Sequence, residues 1–162
     1  AVIVATIPGL RLFYDGQLDG RRAHLPVQLV REPAEERDEE VRHFYETLLA
    51  TGNVAAFHEG DWEMLPIYEA WEGNPSHQSL LAWSWRYARQ LKVVAVNYAP
   101  HHSQGRLQLP VWLPHGMRVV YRDELSGVEY EGDSEEISSL GLYVDLGPWR
   151  AHIFDVLVSE VL

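Results

Sequence analysis

From Phe57 to the C-terminus the chain is a succession of short apolar runs, each closed by turn-forming residues, and this rhythm constrains the fold more than any other feature. The runs cover residues 61–68, 80–87, 91–98, 106–109, 117–123, 128–131, 141–145 and 151–156. Between them stand Gly73-Asn74-Pro75, residues 100–105 and 114–116, Ser126-Gly127, Gly132-Asp133 and Gly147-Pro148. Runs of four to eight residues at such spacing are strands, because a helix needs ten or more residues to bury a face. Eight strands in this order predict an antiparallel sandwich with Greek-key connections. Leu91-Lys92-Val93-Val94-Ala95-Val96 is apolar on both faces, which places it centrally, with neither face in water.

The first fifty residues have a different period. Residues 1–6 read as the end of a helix, broken by Pro8-Gly9. Over residues 10–14, Leu10, Leu12 and Tyr14 alternate with Arg11 and Phe13, which predicts a short strand. A polar connection with Gly16, Gly20, Pro26 and Pro33 leads to a helix over residues 36–50. Its apolar positions Val41, Phe44, Tyr45, Leu48 and Leu49 fall at i, i+3, i+4, i+7 and i+8, on one face. Asp38, Glu39 and Glu40 complement the helix dipole, and Gly52 is placed to end the helix in the left-handed conformation. One strand and a helix end cannot cover that stripe, so it requires a further surface. Two units follow, residues 1–56 and residues 57–162.

Charge and composition remove several function classes. Thirteen basic against 24 acidic residues give a net charge of −11, which repels a polyphosphate backbone and argues against nucleic acid. With no cysteine there is no disulfide, zinc–thiolate site or cysteine nucleophile, a composition compatible with the cytoplasm. No run reaches the roughly 18 apolar residues of a membrane span. Residues 1–10 carry neither an initiator Met nor a leader pattern, so the expectation is a segment of a longer reading frame.

Local chemistry is sparse. His101-His102 and His115 lack a third ligand at metal-binding spacing, and adjacent strand residues face opposite ways, so these are read as surface-loop histidines. No Gly-x-Ser-x-Gly elbow or phosphate-binding glycine loop occurs, and no metal or organic cofactor is expected. Trp83, Trp85 and Tyr87 share a strand face with Leu81, a pattern of core packing in preference to a binding platform. Trp62, Trp71, Trp112 and Trp149 lie near strand ends and loops, and Trp71 and Trp112 are the candidates for a surface sugar contact.

Several segments, taken in order, carry a resemblance. Residues 6–17 (Thr-Ile-Pro-Gly-Leu-Arg-Leu-Phe-Tyr-Asp-Gly-Gln), Phe44-Tyr45-Glu46-Thr47-Leu48-Leu49, Phe57-His58-Glu59-Gly60-Asp61-Trp62, Leu125-Ser126-Gly127, residues 142–149 and Ala151-His152-Ile153-Phe154 resemble the end of the α-amylase superfamily, glycoside hydrolase family thirteen. In that order they are similar to the eighth barrel strand and its loop, the final barrel helix, the entry into the C-terminal sandwich, and its closing strands. The resemblance spans nearly the whole chain. One departure is Asp15-Gly16-Gln17, where many members have Gly-x-Glu or Gly-x-Asp, and it marks a divergent branch.

The resemblance implies a mainly β C-terminal portion of a glycosidase or transglycosidase acting on α-glucans, structural in itself. The family's three catalytic carboxylates lie on the fourth, fifth and seventh barrel strands, and no segment here corresponds to them. Asp15 and Asp19 are the carboxylates at the active-site end of the strand, but nothing fixes the roughly 5 to 5.5 Å separation that a retaining pair needs. Beside Gly16 and Gly20 they read as turn residues. Asp15, Gln17, Arg21 and Arg22 are the expected substrate rim, and the expected partners are the remainder of the barrel and α-glucan. Two other classes compete: a stand-alone carbohydrate-binding module, and an interaction domain that pairs with another chain or a second copy through the stripe of residues 41–49.

Overall fold

The computed structural model describes residues 1–14, 16–23, 34–110, 113 and 116–160. Among these, nine strands pair antiparallel: β1 (Asp61–Met64), β2 (Ile67–Glu69), β3 (Leu80–Tyr87), β4 (Gln90–Asn97), β5 (Ser103–Leu107), β6 (Met117–Asp123), β7 (Glu129–Asp133), β8 (Leu142–Leu146) and β9 (Ala151–Glu160). They form a six-stranded sheet in the order β1-β3-β4-β9-β6-β7 and a three-stranded sheet in the order β2-β5-β8. The sandwich is thus as expected, and β4 is central in the larger sheet, as its two apolar faces require.

Each face of that larger sheet has its own core. Odd-numbered β4 residues Leu91, Val93 and Ala95, with Ala82, Phe154 and Val156, pack on Leu107, Leu142, Val144 and Leu146 of the smaller sheet. Even-numbered Val94 and Val96, with Trp83, Trp85 and Ile153, pack on a helical layer. That layer comprises α1 (Val2–Thr6), α2 (Glu39–Gly52) and α3 (Ala56–Glu59), contributing Val2, Ala5, Tyr45, Leu48 and Phe57. The molecule therefore has three layers, and the larger sheet supplies the surface that the α2 stripe requires. Leu48 is fully buried, while Phe44 remains the exposed member of the stripe. Each such buried side chain contributes about 1.5–3 kcal/mol relative to exposure.

The two central tryptophans do more than fill space. Trp83 and Trp85 both donate their indole N–H to the Thr6 carbonyl, at 3.1 and 2.7 Å, so one acceptor at the end of α1 is shared by two strand residues. Leu81 and Tyr87, read as sharing that face, are less covered, with Leu81 exposed at the strand end.

Several boundaries differ from the sequence reading, each for a physical reason. Residues 10–14 are not a strand: the period-two exposure is present, with Leu10 and Leu12 96% and 76% exposed, but among the described residues no neighbouring strand offers a ladder. Arg11 instead anchors the segment, donating to the carbonyls of Gly52 at 2.9 Å and Phe57 at 2.6 Å. The helix predicted over residues 36–50 runs Glu39–Gly52, because Asp38 caps it by accepting from the N–H groups of Glu40 and Val41. Gly52 is its buried last residue and not a left-handed terminator. A Cβ there would lie 3.4 Å from the Ala5 carbonyl oxygen, an ordinary van der Waals contact, so neither backbone conformation nor packing demands the glycine.

The run 61–68 splits at Leu65-Pro66 and changes sheet. The Leu65 N–H still bonds to Ala82 of β3, whereas the Pro66 carbonyl accepts from Gln108 beyond β5. Missed by periodicity were α3, the 3-10 turn Pro75–Ser79 and the seven-residue α4 (Ser134–Leu140), which buries Ile137 in the sandwich core.

Candidate functional site

The predicted rim folds as a glycine-punctuated loop over α2. Gly16 and Gly20 take φ of +82° and +68°, and the Asp19 and Arg21 N–H groups both return to the Gly16 carbonyl. Gln17 turns inward: its amide donates to the Tyr45 hydroxyl at 2.7 Å and accepts from the Tyr14 N–H at 3.3 Å. Asp19 lies within 3.3–3.9 Å of Arg42, Arg37 and Arg21. The Arg22 and Ala23 N–H groups bond to Glu35, whose pKa these bonds lower. Asp15 lies outside the described residues.

This loop and α2 enclose a groove of about 360 Å³ lined by Phe13, Tyr14, Leu18, Asp19, Arg42 and Glu46, among others. Among the described residues, its carboxylates Asp19 and Glu46 are both committed to Arg42, at 3.3 and 3.0 Å. The geometry makes a charged, braced rim.

A second groove, of about 460 Å³, opens where the ends of β6 and β9 meet the turn between β8 and β9. Its floor is Asp123, only 1% exposed. Burial alone would raise the pKa of this carboxyl, but hydrogen bonds from His152, Ser126 and the Ile153 N–H outweigh burial and hold it below the usual value. Ser126 Oγ donates at 2.6 Å and His152 Nδ1 lies 3.0 Å away. Ser, His and Asp thus meet, but not as a nucleophilic relay: both Ser126 and His152 bond to the aspartate, whereas a relay places the imidazole between serine and aspartate. Asp123 instead orients the ring, which stacks on Phe154 at 4.8 Å and meets Tyr130 edge-on at 6.0 Å.

Above this floor stand Tyr130 and Trp149, with Asp145 and Arg150 on the same wall. None of these was singled out as a site from the sequence, where Trp149 figured only among the tryptophans near strand ends and loops. Tyr130 lies on β7, Asp145 on β8, and Trp149 and Arg150 in the turn that follows β8, so only the fold brings Tyr130 to the others.

Of the two sugar-contact candidates, Trp71 is 54% exposed and Trp112 lies outside the described residues, as does His115. His101 and His102 are exposed in their loop, and His102 lies 3.6 Å from Asp145. Among the described residues no group of three His, Asp or Glu is arranged to hold a metal ion, and no helix is long and apolar enough to cross a membrane.

No family model matches the chain, and no curated protein matches it by sequence. Solved structures do match. The chain superposes on an Anoxybacillus α-amylase with TM-score 0.70 at 15% identity, over 99% of this chain and 32% of that one. The α-amylase from Geobacillus thermoleovorans gives 0.68 at 18% identity, over 96% of this chain and 32% of that one. The chain has the fold of the C-terminal part of α-amylases. A noncanonic maltogenic α-amylase from Thermotoga neapolitana agrees, with TM-score 0.71 at 12% identity over 96% and 35%. The chain thus spans about a third of the length of these α-amylases. The match takes in the helical layer as well as the sandwich, since it leaves at most 4% of the chain uncovered.

Proposed function

We propose that this chain is the C-terminal portion of an α-amylase-type glycoside hydrolase or transglycosidase acting on α-glucans. Residues 1–56 are the end of its catalytic barrel and residues 57–162 its C-terminal sandwich. The observation that carries this reading is the superposition of nearly all of the chain on one third of each of three α-amylases. The exposed alternation of Leu10, Leu12 and Tyr14 supports it, since a barrel strand lacking its neighbours leaves just such a stripe. In this reading the sandwich is structural, and the loop bearing Asp15, Gln17, Arg21 and Arg22 is the substrate rim. The principal partner is the rest of the barrel, covering residues 10–14.

The full reading frame tests the proposal. Acidic residues at the ends of the fourth, fifth and seventh barrel strands upstream are expected, and a frame without them sinks the glycosidase reading. The chain alone is expected to release no reducing sugar from soluble starch.

A further inference from the structure

We propose that the groove walled by Tyr130 and Trp149 is a carbohydrate-binding site for an α-glucan chain, separate from the groove at the rim loop; the choice of α-glucan rests on the α-amylase-type reading above. Trp149 is held at φ +57°, a left-handed conformation that costs a bulky L-residue free energy, yet it is 62% exposed, so burial does not offset that cost. Trp83 and Trp85, by contrast, are almost wholly buried in ordinary strand positions.

The turn is also braced. Asn97, 1% exposed, donates its amide to the carbonyls of Leu146 at 3.0 Å and Gly147 at 2.9 Å. The Trp149 N–H bonds to the Ala99 carbonyl at 3.2 Å, and Tyr98 meets the indole edge to face at 5.6 Å. An exposed aromatic is therefore fixed in place before any ligand arrives, which is the arrangement that lowers the ordering cost of binding.

The surrounding groups select the ligand class. A pyranose presents C–H faces that pack on aromatic rings and a perimeter of hydroxyls that need donors and acceptors. Tyr130 and Trp149 supply the rings. Asp145 supplies acceptors, Arg150 makes no ion pair among the described residues and supplies donors, and His152 offers the nitrogen that Asp123 leaves unbound. A volume of about 460 Å³ lies within the range of about 300–1,000 Å³ usual for small-ligand sites. The net charge of −11 disfavours an anionic ligand and leaves a neutral polyhydroxylated one.

Titration calorimetry and tryptophan fluorescence with maltoheptaose on the 162-residue chain test the site. Saturable binding is expected, weakened about tenfold or more in Trp149→Gly, a loss of about 1.4 kcal/mol. That variant relieves the positive φ, so its thermal midpoint is expected to be no lower than that of the parent chain. His152→Ala is expected to weaken binding severalfold, and Trp71→Ala to leave it unchanged. Absence of saturable binding, or undiminished binding by Trp149→Gly, overturns the site. Preference for cellohexaose over maltoheptaose overturns the α-glucan assignment. Neither result depends on the upstream acids, so failure of the site and failure of the family reading are separate outcomes.

Discussion

Asp123 has the coordination of a residue that must stay ionised inside a protein: four hydrogen-bonding groups converge on its two oxygens at 2.6–3.3 Å. Its native pKa lies below its unfolded value near 3.8, so its stabilisation is complete above that pH and is lost as pH falls through the native value. Asp123→Asn is expected to cost about 1–3 kcal/mol at neutral pH and to flatten the decline of the thermal midpoint in acid, which a melting series from pH 7 to pH 2 measures. Gly141 makes a second residue-scale prediction. It has φ +88°, and a Cβ would lie 2.9 Å from the Leu107 carbonyl oxygen, so Gly141→Ala is expected to destabilise by about 1–3 kcal/mol in denaturant unfolding. At this scale the buried tryptophans were legible from alternation alone, because strand period dictates which face Trp83 and Trp85 share. Trp149 was not, since its exposure is set by the backbone of a turn whose braces come from Asn97 and Ala99, some fifty residues earlier.

Among elements, α2 joins the helical layer to the sheet core through Tyr45 and Leu48, with Val41 packed against them. Leu48→Ala is expected to cost about 2–5 kcal/mol and to accelerate hydrogen exchange in both α2 and the Trp83–Trp85 face of β3. Residues 10–14 behave oppositely: Leu10→Ser with Leu12→Ser removes exposed apolar surface only, so the midpoint is expected to hold while self-association in sedimentation falls. These two segments mark what local pattern conveys. The α2 stripe, β3 and β6 were readable to within a few residues because their periods and flanking turns are local properties. The alternation of residues 10–14 was equally clear, yet a strand exists only with a partner, and that information is not in the segment. Pro66 divides the run 61–68 because it cannot donate to a ladder, a signal available in the sequence but overridden by the continuous apolar pattern. Asp133 followed by Glu135 and Glu136 likewise announced α4 by its cap and acidic first turn, although Gly132-Asp133 reads equally well as a turn.

At the scale of the whole molecule, the larger sheet is a shared wall. Expressed without residues 1–56, the sandwich would expose Trp83, Trp85, Val94, Val96 and Ile153 as one apolar face. Residues 57–162 alone are therefore expected to aggregate or remain molten, with binding of a hydrophobic dye and loss of the near-ultraviolet tryptophan signal, while the full chain gives neither. The sequence boundary near residue 56 separates two periodicities but not two cores. Composition and spacing conveyed the sandwich and the antiparallel class; they did not convey the third layer, because the contacts of Thr6 with Trp83 and Trp85 span 77 and 79 residues. The same wall sets how such a sandwich passes between proteins during evolution. A crossover at residue 56, where α3 begins, would hand the recipient a sheet stripped of α1 and α2, so the heritable unit includes both helices. A lineage that exchanges its C-terminal sandwich must cut within the preceding barrel, or rebuild five apolar positions at once.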